Sequence, residues 1–505
     1  MQAFASKRSS LLAFAYVVTL YCTFVCALLC YAVKLGRTFV CALLRLGTRF
    51  GCTRITPPDT KAINRAIDCP VVLLPGNMGD VSLCAAELRR RGVHVVTPPL
   101  GPVSSCHDRA CEIFYALKGG PIDFGEAHAR AHGHARWARG SSHGAMLPGW
   151  DAEHPVILLC HSQGSNCALC LLELLAQEGA FPGHPTSACW VRGVVCIASP
   201  LAGVPLITSC LGGVPVSVPA PRRAAASCTA ECAEPGDTRV LDTARPMSQP
   251  VGWGPIGMVI ILGYTLEIVI GWSATVREYV WDWRLEQWGL SSRDLPSMAR
   301  GTHRLLHTTD TALYELTSAG ARSLSRRLRA QPHVFYVALP CQITRRWRGA
   351  RGAVSGAQRW DERRVVPSAR ASPWMVVTAA LIDLASDLAL GDRGKRSLDE
   401  TDEIDETDET EHEERDESCH HSDGLVPTAS QRHLPTQPYR YIPQLTALPA
   451  RVLATALEPG VWCYGEPCEI EHGLAMLGGS PALECAIEAI LPAICLRARQ
   501  ASNCL

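Results

Sequence analysis

The feature that most constrains the fold is a series of short, apolar, β-branched runs separated by longer helix-like stretches. A strand that is buried on both faces of a sheet reads as a continuous apolar run, and successive parallel strands need crossover connections. The alternation therefore predicts an α/β fold with a doubly wound, mostly parallel sheet. The runs are 69–74, 93–96, 155–159, 191–197 and 334–339.

Composition narrows the class of protein. The chain has 505 residues, 47% of them hydrophobic, which is ample for a large core. Lys and Arg total 48, as do Asp and Glu, so no excess of positive charge points to nucleic acid, and nucleic-acid binding is not expected. The 24 cysteines form no paired C-x-x-C clusters, so neither a zinc finger nor a disulfide framework is predicted.

The N-terminal segment is predicted to be a signal anchor within residues 1–50. Residues 10–33 form an uncharged stretch of about 24 residues, which is long enough to cross a bilayer. Basic residues lie on both sides, with Lys7 before the stretch and Lys34 after it, so the orientation stays open. We expect a membrane-anchored protein of the secretory or endomembrane pathway or of the cell surface.

The remaining chain predicts one large α/β domain over residues 65–490, interrupted by three surface insertions. The segment 215–250 is rich in Pro, Ala and Arg, and 345–370 is rich in Arg and Gly. The segment 398–417 is an acidic tract whose charges repel one another, which is typical of a solvated, disordered stretch.

One polar turn carries a candidate for catalysis. In "ILLCHSQGSNCALC" (157–170), an apolar strand is followed by Ser162, then Gly164, then a helix-like stretch. This order is typical of a nucleophile elbow, where small residues flank the serine because the turn is sharp. Cys160 stands where the usual pattern has its first glycine, and a serine at an ordinary strand–helix turn is the alternative.

Six motifs lie on or around this turn: "GPVSSCHDRACE" (101–112), "IDFGEAHARAHGHARWAR" (122–139), "HSQG" (161–164), "IASPLAGVPL" (197–206), "VWDWRLEQWGL" (280–290) and "HTTDTALYELTSAGA" (307–321). Together they closely resemble the zinc-containing true lipases of thermophilic bacilli and staphylococci, within the α/β-hydrolase superfamily. That family has Ala at the position of Cys160, so a side chain is tolerated there. The resemblance implies an α/β-hydrolase fold with a helical lid and a zinc-bearing extra subdomain.

The resemblance also implies a Ser-His-Asp triad. It makes Ser162 the nucleophile, Asp423 in "SDGLVPTAS" the acid and His472 in the final loop the base. The backbone N–H groups of Asn77 and Gln163 are the expected oxyanion donors. Here the chain departs from the family, because Pro75-Gly76-Asn77 replaces a His-Gly-aromatic loop.

A structural zinc site is implied in the same way. Two imidazoles and two carboxylates complete a tetrahedron with no open position, which is the structural arrangement. His132 is an equally placed alternative, and a set of ordinary polar loop residues is the other interpretation. Calcium is not expected, since the family's acidic ligands fall at Leu474 and Gly479. The four matching ligands are Asp108, His128, His134 and Asp310.

A second apolar stretch, 251–272, is long enough to span a membrane but contains Glu267. A single crossing there would place Ser162 and His472 on opposite sides of a bilayer. By position the stretch corresponds to the lid of the family, and we expect it to cover the active site and open onto lipid.

Together these features predict a membrane-associated serine lipase that hydrolyses acylglycerols at a membrane or oil–water interface through an acyl-enzyme. Two alternatives stay open. A phospholipase or galactolipase of the same fold would use the same machinery. A catalytically silent, membrane-tethered scaffold would keep the fold and the zinc, and the altered oxyanion loop and Ser165, which replaces a family glycine, favour it.

Overall fold

A computed structural model describes residues 67–77, 79–210, 284–300, 302–346, 365–368, 378–379, 421–475 and 481–502. The predicted signal anchor, the insertions 215–250 and 398–417 and the predicted lid 251–272 lie outside these residues. Within them, no helix is both long and apolar enough to cross a membrane. Thirteen cysteines between Cys69 and Cys495 are free thiols in the described part of the chain, and all of these thirteen but Cys189 are buried.

The strands, in chain order, are β1 (Val71–Leu74), β2 (Val95–Val96), β3 (Gly120–Asp123), β4 (Trp137–His143), β5 (Val156–His161), β6 (Val191–Ile197), β7 (Phe335–Leu339), β8 (Cys341–Gln342), β9 (Thr344–Arg346), β10 (Val365–Pro367), β11 (Tyr439–Tyr441), β12 (Trp462–Tyr464) and β13 (Cys468–Glu469). The helices are α1 (Ser82–Arg90), α2 (Cys106–Lys118), α3 (Glu126–His132), α4 (Gly164–Ala176), α5 (Pro205–Cys210), α6 (Leu295–Ala299), α7 (Ala312–Leu316), α8 (Ser318–Arg327), α9 (Ala450–Ala456) and α10 (Pro481–Ser502).

Seven strands form the central sheet in the order β11-β12-β7-β6-β5-β1-β2. Every neighbouring pair is parallel, which confirms the predicted mostly parallel sheet. Each apolar run predicted as a strand lies in this sheet. Strands β11 and β12 were not predicted, because both are short and because β11, at the edge of the sheet, is exposed along its whole length.

Helices cover both faces of the sheet. On one face, Val72 and Leu74 of β1 belong to a buried cluster that includes Phe114 of α2 and Leu172 of α4. On the other face, Val71 and its alternate neighbours cluster with residues of α1, α9 and α10. Because alternate residues of a strand point to opposite faces, each central strand is apolar throughout. The predicted doubly wound α/β arrangement is confirmed.

Three small ladders lie outside this sheet. β3 and β4 are antiparallel, and β8 and β13 are parallel. β9 and β10 form an antiparallel pair in which Thr344 is opposite Pro367. The described ends of the segment predicted as the insertion 345–370 therefore pair with each other as strands.

The packing of Phe114 against one face of the sheet leads to a prediction about stability. Phe114 is fully buried and its ring stacks on that of Phe181 at 3.7 Å. Phe114→Ala should lower the free energy of unfolding by about 3–5 kcal/mol through lost burial and an unfilled cavity. Leu83→Ala, at an exposed position of α1, should change it by less than about 0.5 kcal/mol. Urea unfolding measures both values, and equal losses would contradict this packing.

Candidate active site

Ser162 lies at the sharp turn between β5, which ends at His161, and α4, which begins at Gly164. Its φ is 52°, in the left-handed region that residues other than glycine seldom adopt. Such strain persists only where surrounding structure imposes it, and it concentrates at functional sites. The strand, turn and helix predicted from "CHSQG" are therefore present, with the serine in the strained position.

Close packing explains which small residues the turn requires. A Cβ added to Gly164 would lie 2.6 Å from the carbonyl oxygen of Leu74 and 2.7 Å from that of Pro75. A Cβ added to Gly76 would lie 2.7 Å from Cβ of Ser162. Cys160, in contrast, lies fully buried within the apolar core on β5. The backbone is tightly packed at Gly164, two residues after the serine. Position 160, two residues before the serine, has room for a side chain.

The three predicted triad residues lie together, although Ser162 and His472 are 310 positions apart. Nε2 of His472 is 3.0 Å from Oγ of Ser162. Nδ1 of His472 is 2.7 Å from Oδ2 of Asp423. All three residues are buried. With an acceptor at Nδ1, the imidazole keeps its proton there and presents the Nε2 lone pair to the serine hydroxyl.

Asp423 is held by hydrogen bonds that suit an ionised carboxylate. Its Oδ1 accepts the N–H groups of Leu425 at 3.0 Å and Val426 at 2.8 Å. Its Oδ2 also accepts Nε2 of Gln431 at 3.3 Å. The Gln431 side chain in turn donates to the carbonyl oxygen of Cys341 and accepts its N–H. Sequence reasoning missed Gln431, and its one signal is an amide eight positions after the acid.

His161 is a second imidazole beside the triad. Its ring centroid is 4.8 Å from that of His472, and its Nε2 is 3.1 Å from the carbonyl oxygen of His472. Burial, and after it the neighbouring His472 ring, lowers the pKa of His161 to about 3. The neutral ring of His161 therefore donates from Nε2 to the backbone carbonyl oxygen of His472.

The two residues predicted as oxyanion donors are joined through their side chains. Nδ2 of Asn77 donates to Oε1 of Gln163. Gln163 is fully buried and directly precedes α4. Arg109, which sequence reasoning missed, is also fully buried and donates to Asn77 and to the carbonyl oxygen of Pro75. Its position next to Asp108 in the "HDRACE" motif was the available signal.

The four predicted metal ligands also converge. They offer ligand atoms that all lie within 4.8 Å of one another. Nε2 of His128 is 3.2 Å from Oδ1 of Asp108 and 3.3 Å from Oδ1 of Asp310, and Nε2 of His134 is 3.2 Å from Oδ2 of Asp310. Asp108 is on α2, His128 is on α3, and Asp310 precedes α7. His132, the alternative, is outside this group, and its ring is 4.6 Å from that of His128.

The chemistry of this cluster fits a divalent cation. A buried polar atom without a hydrogen bond is costly, and convergence of several such atoms on one point is what a metal would satisfy. Nδ1 of His134 is 2.9 Å from the carbonyl oxygen of Ala135, so its Nε2 carries a lone pair. Gln287 donates to the other oxygen of Asp108 at 2.8 Å. Among the described residues, the buried side-chain atoms without a hydrogen bond include Asp108 Oδ1, His128 Nε2, His134 Nε2 and Asp310 Oδ2.

The contact at Gly164 is directly testable. Gly164→Ala should lower the free energy of unfolding by about 1–3 kcal/mol, because the new methyl group would overlap the carbonyl oxygens that end β1. Gly149→Ala is the matched control, since a Cβ there meets nothing within 4 Å. Equal urea midpoints for the two variants would show that α4 does not approach β1 this closely.

Comparison with known proteins gives one family match. Residues 68–181, which contain β1, α2 and the Ser162 turn, match the family described as "Lipase-like, C-terminal domain". Among curated proteins, the lipase of Staphylococcus hyicus is 23% identical over 271 residues, covering 50% of this chain and 34% of that protein. Lipase 2 of Staphylococcus aureus is 36% identical over 89 residues, covering 18% of this chain and 13% of that protein. The chain thus spans about a third or less of these relatives.

Solved structures share the fold over most of the chain. The crystal structure of Staphylococcus hyicus lipase gives a TM-score of 0.56 at 16% identity, covering 89% of this chain and all of that one (100%). EstA from Clostridium botulinum gives 0.52 at 20% identity, with 88% and 93% covered. Lipase 1 from Pelosinus fermentans gives 0.51 at 19% identity, with 84% and 98% covered. By sequence and by fold, the chain is therefore similar to the staphylococcal-type bacterial lipases, as its motifs predict.

Proposed function

We propose that the chain is a membrane-associated serine lipase that hydrolyses the carboxylic ester bonds of acylglycerols. The observation that carries this proposal is the hydrogen-bonded series from Ser162 through His472 to Asp423 at a strained strand–helix turn. The similarity to proteins named as lipases supports the broader conclusion that the chain is a carboxylic ester hydrolase.

The proposed reaction has two halves. His472 takes the proton of the Ser162 hydroxyl at Nε2 as Oγ bonds to the ester carbonyl carbon, and the carbonyl oxygen becomes an oxyanion. His472 then returns this proton to the departing alcohol, which leaves the acyl group on Ser162. Water, deprotonated by the same nitrogen, then attacks the acyl carbon, and His472 returns that proton to Oγ of Ser162 as the bond to the fatty acid breaks. Asp423 orients the imidazole and stabilises its charged form.

The oxyanion of each intermediate would be held by the backbone N–H groups of Asn77 and Gln163. The replacement of the family's aromatic residue by Asn77 leaves a backbone donor in place, since only proline lacks an N–H. The replacement would therefore alter the wall of the acyl pocket, and it would leave the backbone oxyanion donors unchanged.

The lipid preference rests on segments outside the described residues. An apolar lid at 251–272 and an anchor at 10–33 would keep the enzyme at a membrane or oil–water surface, where long-chain acylglycerols reside. The triad has no preference of its own for a head group, so a phospholipase or galactolipase activity would proceed by the same steps.

Labelling with a fluorophosphonate tests the proposed nucleophile. Wild-type protein should be labelled, and Ser162→Ala should lose the label and at least about 10³-fold in ester hydrolysis, because the acyl-enzyme has no oxygen to form on. Ser187→Ala, which removes the hydroxyl that caps the short 3-10 helix before β6, is the control and should be labelled like the wild type. Absence of label on the wild type would favour the silent scaffold, and equal label on Ser162→Ala would show that Ser162 is not the nucleophile; either result would contradict the proposal.

We further propose that the cluster of two histidines and two aspartates binds zinc in a structural role. Its four side chains leave no position for substrate, and they would join α2, α3 and the start of α7. A bound zinc would supply charge neutralisation and cross-linking of these elements and no step of ester hydrolysis.

Elemental analysis tests this site. Purified protein should contain about one zinc per chain, and the double variant His128→Ala/His134→Ala should lose it and unfold at a lower temperature. His154→Ala is the control, because His154 is exposed and pairs with Asp151 in the same loop, which contains none of the four proposed ligands. Unchanged zinc in the double variant, or wild-type protein that binds no zinc when it is supplied, would refute the assignment.

A further inference from the structure

Four side chains form a continuous hydrogen-bonded series beside the Ser162 turn. Nη1 of Arg109 donates to Oδ1 of Asn77 at 3.0 Å. Nδ2 of Asn77 donates to Oε1 of Gln163, and Nε2 of Gln163 donates to Oε2 of Glu315 at 3.3 Å. The series connects α2, the loop after β1, the start of α4 and α7. We call it the Arg109–Glu315 series.

The ends of the series determine the orientation of both amides between them. Arg109 has only donors, so Asn77 must present its oxygen to it. Oε2 of Glu315 also accepts the N–H of Cys106 at 2.7 Å, so this oxygen acts as an acceptor and Gln163 must present its N–H groups to it. If either amide were rotated by 180°, a donor would face a donor at one of its contacts and an acceptor would face an acceptor at the other.

Burial of two of the four residues makes the series costly to break. Arg109 and Gln163 are fully buried. Arg109 also donates to the carbonyl oxygen of Pro75 at 2.6 Å, and Gln163 donates to that of Ala312 at 3.1 Å. A buried donor or acceptor that loses its partner keeps its desolvation cost. The series therefore holds Asn77 and Gln163 at a set distance from each other.

We propose that the Arg109–Glu315 series positions the backbone N–H groups of Asn77 and Gln163 as a preformed oxyanion hole, and that Asn77, Gln163, Arg109 and Glu315 are thus positioning residues. This inference rests on the proposed function. It also accounts for the departure of this chain from the family that it resembles, because an aromatic residue at position 77 lacks the amide that accepts from Arg109 and donates to Gln163.

The proposal makes a kinetic prediction that a purely structural role does not. Oxyanion donors act mainly where charge develops, so misplacing them lowers kcat and leaves KM nearly unchanged. Asn77→Ala and Gln163→Ala each keep their own backbone N–H and lose their side-chain hydrogen bonds, among them the one that joins the two residues. Since either substitution breaks the same link, their effects should not add.

The experiment measures kcat and KM of the full chain on p-nitrophenyl butyrate, a soluble ester. Each single variant should lose about tenfold in kcat with KM within about twofold, and the double variant should lose about tenfold rather than a hundredfold. Gln177→Ala removes an exposed amide at the far end of the same helix, α4, and is the matched control. It should match the wild type.

Substitution at Glu315 gives an independent readout. Glu315→Met removes the terminal acceptor and should lower kcat about tenfold, whereas Glu315→Gln still offers an oxygen to Gln163 and should recover most of that loss. Thermal unfolding of each variant shows whether the fold is retained, and a kcat loss without a lower unfolding temperature separates positioning from stability.

Several outcomes would overturn the proposal. They are an unchanged kcat in Asn77→Ala, a loss confined to KM, additive losses in the double variant, and equal kcat values for Glu315→Met and Glu315→Gln. If these occur while a fluorophosphonate still labels Ser162, the series does not position the oxyanion hole although the proposed lipase chemistry stands. If the wild type is not labelled, the proposed function fails and the inference fails with it.

Discussion

The site depends on one close contact, that of Gly164 at the start of α4 with the carbonyl oxygens that end β1. No side chain fits between them, so the helix can begin directly beside the strand end. This close approach forces the turn between β5 and α4 to be sharp, and it places Ser162 in the left-handed region. The serine is therefore presented at the carboxyl edge of the parallel sheet, where the loops of neighbouring strands meet. His472 and Asp423 reach it from two of those loops.

Helix α2 joins the candidate active site to the metal cluster. Successive residues of a helix point about 100° apart, so Asp108 and Arg109 can face different partners. Asp108 faces His128 and Asp310, while Arg109 faces Asn77 and the carbonyl oxygen of Pro75. An ion bound at the cluster would hold the N-terminal turn of α2, and with it the arginine that supports the loop after β1. A metal bound there would thus be coupled to the proposed oxyanion loop through one turn of helix α2.

Much of this arrangement was predictable from the sequence. The parts that could not be predicted were missed for physical reasons. Central strands are buried on both faces and therefore appear as apolar runs, whereas the exposed edge strand β11 does not. The elbow is local, so the order of strand, Ser162 and Gly164 identifies it. Arg109 and Gln431 carry no such local pattern. Their importance comes from partners such as Asn77 and Asp423, which only the fold brings near.

The most direct test of the account is to trap the acyl-enzyme. Brief incubation with p-nitrophenyl butyrate, acid quench and peptide mass mapping should place one butyryl group on the peptide that contains Ser162, and the group should disappear as turnover finishes. Turnover with no adduct on this peptide, or an adduct on a different residue, would contradict the assignment of Ser162 as the nucleophile.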